Sequence, residues 1–192
     1  MDEPNPLAAF SRVDSARLTL RAVQAADIAD LLEINGDPEV TRFLPYATWQ
    51  SLADGEAWLS RMVALGAASS GQQLVVARRV DAKVIGTMLL FKYDPGSSRV
   101  ELGYVLGRSH WGQGLMREAI VAACSHAFAA LGIRRIEAEV NPANLASCAL
   151  MEAVGFTREG TLRKRWVAKG VAYDTHLYGC LADDWPTARA AG

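Results

Sequence analysis

The sequence predicts a mixed α/β fold, a mostly antiparallel central sheet with helices on both faces. Three observations point there. Short segments alternate apolar and polar residues along the chain. Three of them, between Gln73 and Leu106, are separated only by turn residues, as in an antiparallel meander. A long amphipathic pattern from Gly112 to Leu131 is then followed at once by another strand. That strand–helix–strand order calls for a parallel, right-handed crossover.

The elements run in this order. Residues 1–16 read as a loose lead-in. Arg17 to Val23 alternates as a half-buried strand. Asp27 can cap a helix carrying Ile28, Leu31 and Leu32, which Asn35-Gly36-Asp37-Pro38 stops. Glu39 to Leu44 reads as a further short helical turn. Ser51 to Leu65 places Leu52, Trp58, Leu59 and Met62 at helical spacing, and Gly66 to Gly71 reads as a loop. Strands are predicted over Gln73–Val80, Lys83–Tyr93 and Val100–Leu106. The long helix ends at Gly132. Arg134 to Val140 is a strand, Ala146 to Val154 a helix closed by Gly155, and Phe156–Val167 with Val171–Leu181 a final hairpin around Lys169-Gly170. One domain over residues 17–185 and a tail over 186–192 are expected, with no internal repeat.

Composition narrows the function classes. The chain has 192 residues, 51% hydrophobic and 21% charged, enough for an ordinary core. Twenty basic and twenty-one acidic residues leave a net charge of −1, without the basic surplus of a nucleic-acid binder. No run approaches the ~18 apolar residues of a membrane span. Met1-Asp2-Glu3-Pro4 lacks the positive start of a secretory signal. Cys124, Cys148 and Cys180 are odd in number and form no CxxC pair, so neither a zinc site nor a disulfide framework is expected. A cytoplasmic protein with no metal, no membrane and no nucleic-acid partner is the expectation.

The stretch that carries chemistry is Val100 to Met116, VELGYVLGRSHWGQGLM. A strand ends near Gly107, and a helix opens at Gly112-Gln113-Gly114. The first N–H groups of a helix have no partner within it, and the positive end of the helix dipole lies behind them, which suits a phosphate or pyrophosphate. A glycine turn that merely packs tightly is an equal reading of Gly-x-Gly alone. A P-loop would need Gly-Lys-Ser/Thr, which is absent. A dinucleotide fold would need a third glycine where Arg117 stands, although Glu137 and Glu139 lie near the spacing of a ribose-binding acid.

ELGYVLGRSHWGQGLMREA resembles the acetyl-CoA-binding motif of the GNAT superfamily of N-acetyltransferases. Asn141-Pro142-Ala143-Asn144-Leu145-Ala146-Ser147, then Met151-Glu152-Ala153-Val154-Gly155-Phe156 and Glu159-Gly160, resemble the branch that acetylates ribosomal-protein N-termini. The likeness runs from about Leu18 to Leu181. It implies an acyl-CoA N-acyltransferase fold in which Tyr104-Val105-Leu106 pairs through its main chain with the pantetheine arm, while that strand splays from Ile136 to Val140. It implies that Gly112, Gln113, Gly114, Leu115, Met116 and Arg117 hold the pyrophosphate, that Asn144 bonds the pantetheine chain, and that Ser147 sits near the sulfur. Trp111 and Met116 depart from the superfamily motif. Met151 stands where many members carry the tyrosine that protonates the departing thiolate.

The implied reaction is attack of a neutral amine on the acetyl carbon of acetyl-CoA. An α-amine has a pKa of about 7.7–8.0 and a lysine about 10.4, so the first loses its proton more readily. Glu101 is the candidate base, against a salt-bridged glutamate paired with Arg99. A backbone N–H near Tyr104 can hold the oxyanion. Ser147 either protonates the thiolate or serves as a second helix cap. Cys124 and Cys148 read as buried apolar residues, and His110 as loop surface that can touch phosphate. Trp49 is a candidate for the acceptor cleft, and Trp58 reads as core. The expected acceptor is a primary amine, best a protein or peptide N-terminus such as that of a ribosomal protein. A small amine or polyamine, a non-catalytic CoA-binding sensor and a dinucleotide-dependent oxidoreductase are the rivals. The branch often forms dimers, so a homodimer is a further expectation.

Overall fold

The computed structural model describes residues 6–10 and 12–185; the expected tail, 186–192, lies outside the described residues. Eight strands form one sheet: β1 (Arg12–Asp14), β2 (Leu18–Ala22), β3 (Gly71–Arg78), β4 (Val84–Asp94), β5 (Arg99–Leu106), β6 (Arg135–Val140), β7 (Thr157–Ala168) and β8 (Val171–Leu181). Their order is β1-β2-β3-β4-β5-β6-β8-β7. Every neighbouring pair is antiparallel except β5 and β6. The helices are α1 (Ile28–Asn35), α2 (Pro38–Thr41), α3 (Leu52–Ala67), α4 (Leu115–Leu131) and α5 (Leu145–Val154).

Two apolar clusters fill the two sides of the sheet. On one side α1 and α3 lay Ile28, Leu31, Ile34 and Trp58 against Val75, Ala77 and Val84. Trp49 lies in the same cluster, 5.6 Å from the Trp58 ring, so it is core rather than cleft lining. On the other side α4 buries Leu115, Met116, Ala119, Ile120, Ala123, Cys124 and Ala127 against Leu74, Val76, Met88, Val100 and Leu102. Alanines at 119, 123 and 127 fall one per turn on that stripe and let the helix backbone approach the strands closely. Gly132, at φ +66°, ends the helix in the left-handed conformation. Among the described residues, no helix is long and apolar enough to cross a membrane.

The lead-in is not loose over its described part. Pro6–Ala9 makes a 3₁₀ turn that buries Leu7, and Phe10 sets its ring edge-on to His126 on α4 at 4.7 Å. β1 adds an edge strand to β2. Two isolated apolar residues and a three-residue strand are too short to carry a readable period, and the tertiary surface they cover decides their structure. Glu118, in the first turn of α4, ties down the turn between β1 and β2. It accepts from the Ser15 hydroxyl at 2.6 Å, the Arg17 backbone N–H at 2.7 Å and the Arg17 guanidinium at 2.6 Å.

The parallel ladder between β5 and β6 is short. It pairs Arg99 with Arg135, Val100 with Ile136 and Glu101 with Glu137, and stops. β5 continues along β4 as far as the Gly86–Leu106 pair, and β6 continues along β8 as far as Val140–His176. A gap therefore opens between residues 102–106 and 138–140. Its closed end is laced by ion pairs: Glu137 with Arg99 at 2.9 Å and with Arg135 at 2.8 Å, and Arg135 with Glu159 at 2.5 Å. The Arg135–Glu159 pair crosses β8 at Gly179, where any side chain would collide with both partners.

Phe10→Ala removes a ring that is 1% exposed. It is expected to lower stability by about 3–5 kcal/mol, read as a fall in the urea midpoint. A lead-in that did not pack on α4 would leave the midpoint unchanged.

Candidate functional site

The gap widens into a cavity of about 620 Å³. One wall is Tyr104, Val105 and Leu106 of β5. The start of α4, with Gly112, Gly114, Leu115, Met116 and Arg117, makes a second. Asn144 and Ser147 at the start of α5 make a third, and Arg42, Phe43 and Leu44 after α2 close the side. Ten of the twelve residues singled out from the sequence line this one space. Glu101 and Gln113 do not. Gln113 turns its side-chain amide to the Ser109 carbonyl at 2.9 Å, and its own carbonyl accepts from Arg17 at 3.1 Å.

The glycine loop has the geometry an anion needs. Gly112 and Gly114 both lie at φ +72°, where other residues are strained. A Cβ on Gly112 would meet nothing within 4 Å, and one on Gly114 only the Arg17 guanidinium, at 3.8 Å. The missing side chains thus leave open space directly before the N-terminus of α4, a space that a Cβ would enter. Arg117 and Arg42 stand on its walls. These residues fit a pyrophosphate. Trp111 modifies the strand beside it: its indole N–H donates to the Leu106 carbonyl at 2.8 Å, which takes one of that oxygen's two lone pairs.

Asn144 and Ser147 divide the labour left open by the sequence. Asn144 is the cap of α5, its Oδ1 accepting from the Ser147 N–H at 3.2 Å. The Ser147 hydroxyl instead meets the Tyr104 hydroxyl at 2.6 Å. Burial pushes the Tyr104 phenol up to about 12, against the opposing pull of the Ser147 hydrogen bond. The phenol therefore keeps its hydrogen at neutral pH and remains a donor. Met151, one turn beyond Ser147, is fully buried in the core. The side chain of Tyr104 is a candidate donor that sequence reasoning missed, because only its backbone was assigned a task. Cys124 is buried, and burial pushes its thiol well up.

Glu101 lies at the closed end, 8% exposed, with Lys92 Nζ at 2.7 Å from Oε2. It is not paired with Arg99, which binds Glu137 and Asp94. Burial raises its pKa above the usual carboxylate range; Lys92 opposes this, and Glu139 and Glu137 reinforce it. Lys92 was not visible as a site residue. Phe91 pairs with Glu101, and Asp94 with Arg99, so two β4 residues, Lys92 and Tyr93, stand opposite the single Val100. Strict alternation would send Lys92 to the face opposite Phe91 and Glu101. The bulge, with Lys92 at φ +53°, brings it to theirs.

Known proteins resemble this chain in sequence and in fold. The family model described as acetyltransferase (GNAT) domain matches residues 17–157. The N-acetyltransferase p20 of Bacillus licheniformis is 31% identical over 169 residues, covering 88% of this chain and 95% of that protein. The [ribosomal protein uS5]-alanine N-acetyltransferase of Escherichia coli is 34% identical over 88 residues, 46% of this chain and 45% of that protein. A spermidine N-acetyltransferase from Vibrio cholerae, solved with CoA and spermine, superposes with a TM-score of 0.77 at 21% identity over 88% of this chain and 98% of that one.

Gly114→Val is expected to lower acetyl-CoA affinity about tenfold or more, because its side chain enters the space before α4 and strains a left-handed residue by roughly 1–2 kcal/mol. The far-ultraviolet dichroism should be unchanged. Calorimetry reads the affinity, and an unaltered value removes the loop from the site.

Proposed function

This chain belongs to the GNAT family of N-acetyltransferases, and we propose that it carries the acetyl group of acetyl-CoA to the α-amine of a protein or peptide N-terminus, such as that of a ribosomal protein. The observation that carries this reading is the gap itself. It has a glycine-opened helix N-terminus and a Tyr104–Ser147 hydroxyl pair at its open end, and a buried carboxylate at its closed end. The likeness to a ribosomal-protein alanine N-acetyltransferase supports the choice of acceptor. The likeness in fold to a spermidine N-acetyltransferase favours a polyamine as the second reading.

The chain's own groups would divide the work between the two ends of the gap. The loop from Gly112 to Arg117 holds the pyrophosphate, and the edge of β5 from Tyr104 to Leu106 takes the extended pantetheine arm as an added strand. The acceptor arrives protonated and must lose a proton before its nitrogen can attack the acetyl carbon. Glu101 receives that proton. Three residues along the strand from Tyr104, about 10 Å, it does so through intervening water. Its raised pKa places it nearer to that of an α-amine than an ordinary glutamate stands, which favours the transfer. As the carbon–sulfur bond breaks, the sulfur accepts a hydrogen bond from the Ser147 hydroxyl, whose oxygen the neutral Tyr104 phenol supports as a donor; the acylated nitrogen releases its second proton, which balances the one that ends on the sulfur.

Glu101→Gln is expected to reduce kcat by about 10²-fold or more, most strongly at the acid side of the profile, while acetyl-CoA affinity holds. In the parent enzyme the acid limb of kcat/KM should lie above the ordinary glutamate value of about 4.3. The same substitution should not lower the melting temperature at pH 7. A folded-state pKa raised above the unfolded one contributes stability at low pH that is lost as pH rises through the folded value, and glutamine escapes that loss. Equal turnover across pH in the variant would assign the proton to another group.

Paired peptides test the acceptor. A peptide with a free N-terminus should be acetylated at that end, and an N-terminally blocked peptide with one free lysine should be a much poorer substrate, as read by mass spectrometry. Preferential lysine labelling, or turnover on spermidine alone, would overturn the α-amine reading.

A further inference from the structure

Beyond the cofactor gap, the closed end carries a second constellation. Lys92 Nζ sits 2.7 Å from Glu101 Oε2 and 3.8 Å from Glu139 Oε1. It also lies 5.2 Å from the centre of the Phe91 ring and 5.7 Å from that of Trp166. Two carboxylates and two aromatic faces are the surroundings that hold an alkylammonium ion. Here the chain's own lysine provides that ion. Glu139 is engaged further: it accepts from the Trp166 indole at 2.5 Å and lies 3.7 Å from the Arg165 guanidinium. The two carboxylates are thus matched by two built-in cations, Lys92 and Arg165.

We propose that Lys92 is a specificity-determining residue that sets the charge class of the acceptor: seated between Glu101 and Glu139, its ammonium leaves room for a single amine and turns away polycations. The inference rests on the reading that the acceptor amine reaches the Glu101 face. A polyamine is held by carboxylates converging on it that are not already neutralised. Lys92 contacts both Glu101 and Glu139, whereas Arg165 contacts Glu139, at 3.7 Å; Lys92 is therefore the cation that occupies the space between the two carboxylates. It comes from the neighbouring strand and reaches Glu101 only through the bulge, so it is an addition to the gap rather than one of its walls. With its side chain 45% exposed, it can be replaced without opening the core. The charged and titratable groups facing Glu101 are Lys92 on β4 and Glu137 and Glu139 on β6. Arg99 and Arg135 hold Glu137; Arg165 on β7 flanks Glu139, which burial-raised Tyr173 on β8 also faces.

The experiment compares the parent enzyme with Lys92→Met and Lys92→Arg, using spermidine and an alanine-initiated peptide as acceptors. Lys92→Met is expected to raise the spermidine-to-peptide ratio of kcat/KM about tenfold or more. It should also tighten spermidine binding to the CoA complex in calorimetry, and move the acid limb of kcat/KM upward, because only carboxylates then face Glu101 directly. Lys92→Arg keeps a cation and should keep the parent ratio. An unchanged ratio and unchanged spermidine affinity in Lys92→Met would overturn the proposal, as would a Lys92→Arg variant that behaves like Lys92→Met. Failure of the underlying reading shows separately: Glu101→Gln would then leave turnover intact at every pH, whatever Lys92 does to the ratio. Calorimetry decides the charge question without any need for turnover.

Discussion

A ladder that stops after three residue pairs governs this molecule. β5 and β6 are hydrogen-bonded from Arg99–Arg135 to Glu101–Glu137, and each then follows its antiparallel neighbour away from the other. Backbone donors and acceptors that would have faced one another are left along the two sides of the gap, available to an extended ligand. The crossover helix between the same two strands must begin beside the open end, so its N-terminal N–H groups and the glycine loop arrive there by topology. A cofactor with an anionic end and an extended amide-bearing arm meets both features in one place.

The same ladder separates two glutamates by role. Glu101 and Glu137 are directly paired across it. Burial pushes both carboxyls up, but Arg135 and Arg99 grip Glu137 and bring it below its ordinary value, whereas Glu101 has one half-exposed lysine against two neighbouring carboxylates and stays raised. Glu137 is a structural clamp at the closed end. Glu101 is held in a form that takes up a proton readily, which lowers native stability as it ionises. Two identical side chains one strand apart are assigned opposite work by their neighbours alone.

Much of this was legible in the sequence. The order of elements from Leu18 to Leu181 and the parallel crossover come from alternation and turn chemistry, Gly112 and Gly114 from the glycine-opened helix, and the other eight of the ten cavity-lining residues from the family resemblance alone. The features that escaped did so for physical reasons. Leu7 and Phe10 are buried by a surface made far along the chain, and no local period announces them. Lys92 escaped because a bulge reverses the side on which its side chain emerges, and a rule of strict alternation gives the wrong face. Arg42 and Phe43 follow the four-residue helix Pro38–Thr41 and join the cavity wall, a tertiary outcome without a motif. Trp49 was a candidate for the cleft because it lies near the N-terminal helices, but its ring packs against Trp58 in the core.

The proposed proton donor follows from how α5 is set against β5. Asn144 caps α5 and so fixes the phase of that helix. Ser147 and Met151 are then one turn apart on the same stripe, the first at the cavity wall and the second in the core. A methionine suits the deeper position, where a hydroxyl would need a partner of its own. One turn toward the open end, β5 brings the Tyr104 phenol to within 2.6 Å of the Ser147 hydroxyl, and the proposed donor function falls there. In the proposed mechanism a strand residue and a helix residue, 43 positions apart, share the donor role. The pair depends on the splay, since Tyr104 lies beyond the last residue of β5 that β6 occupies.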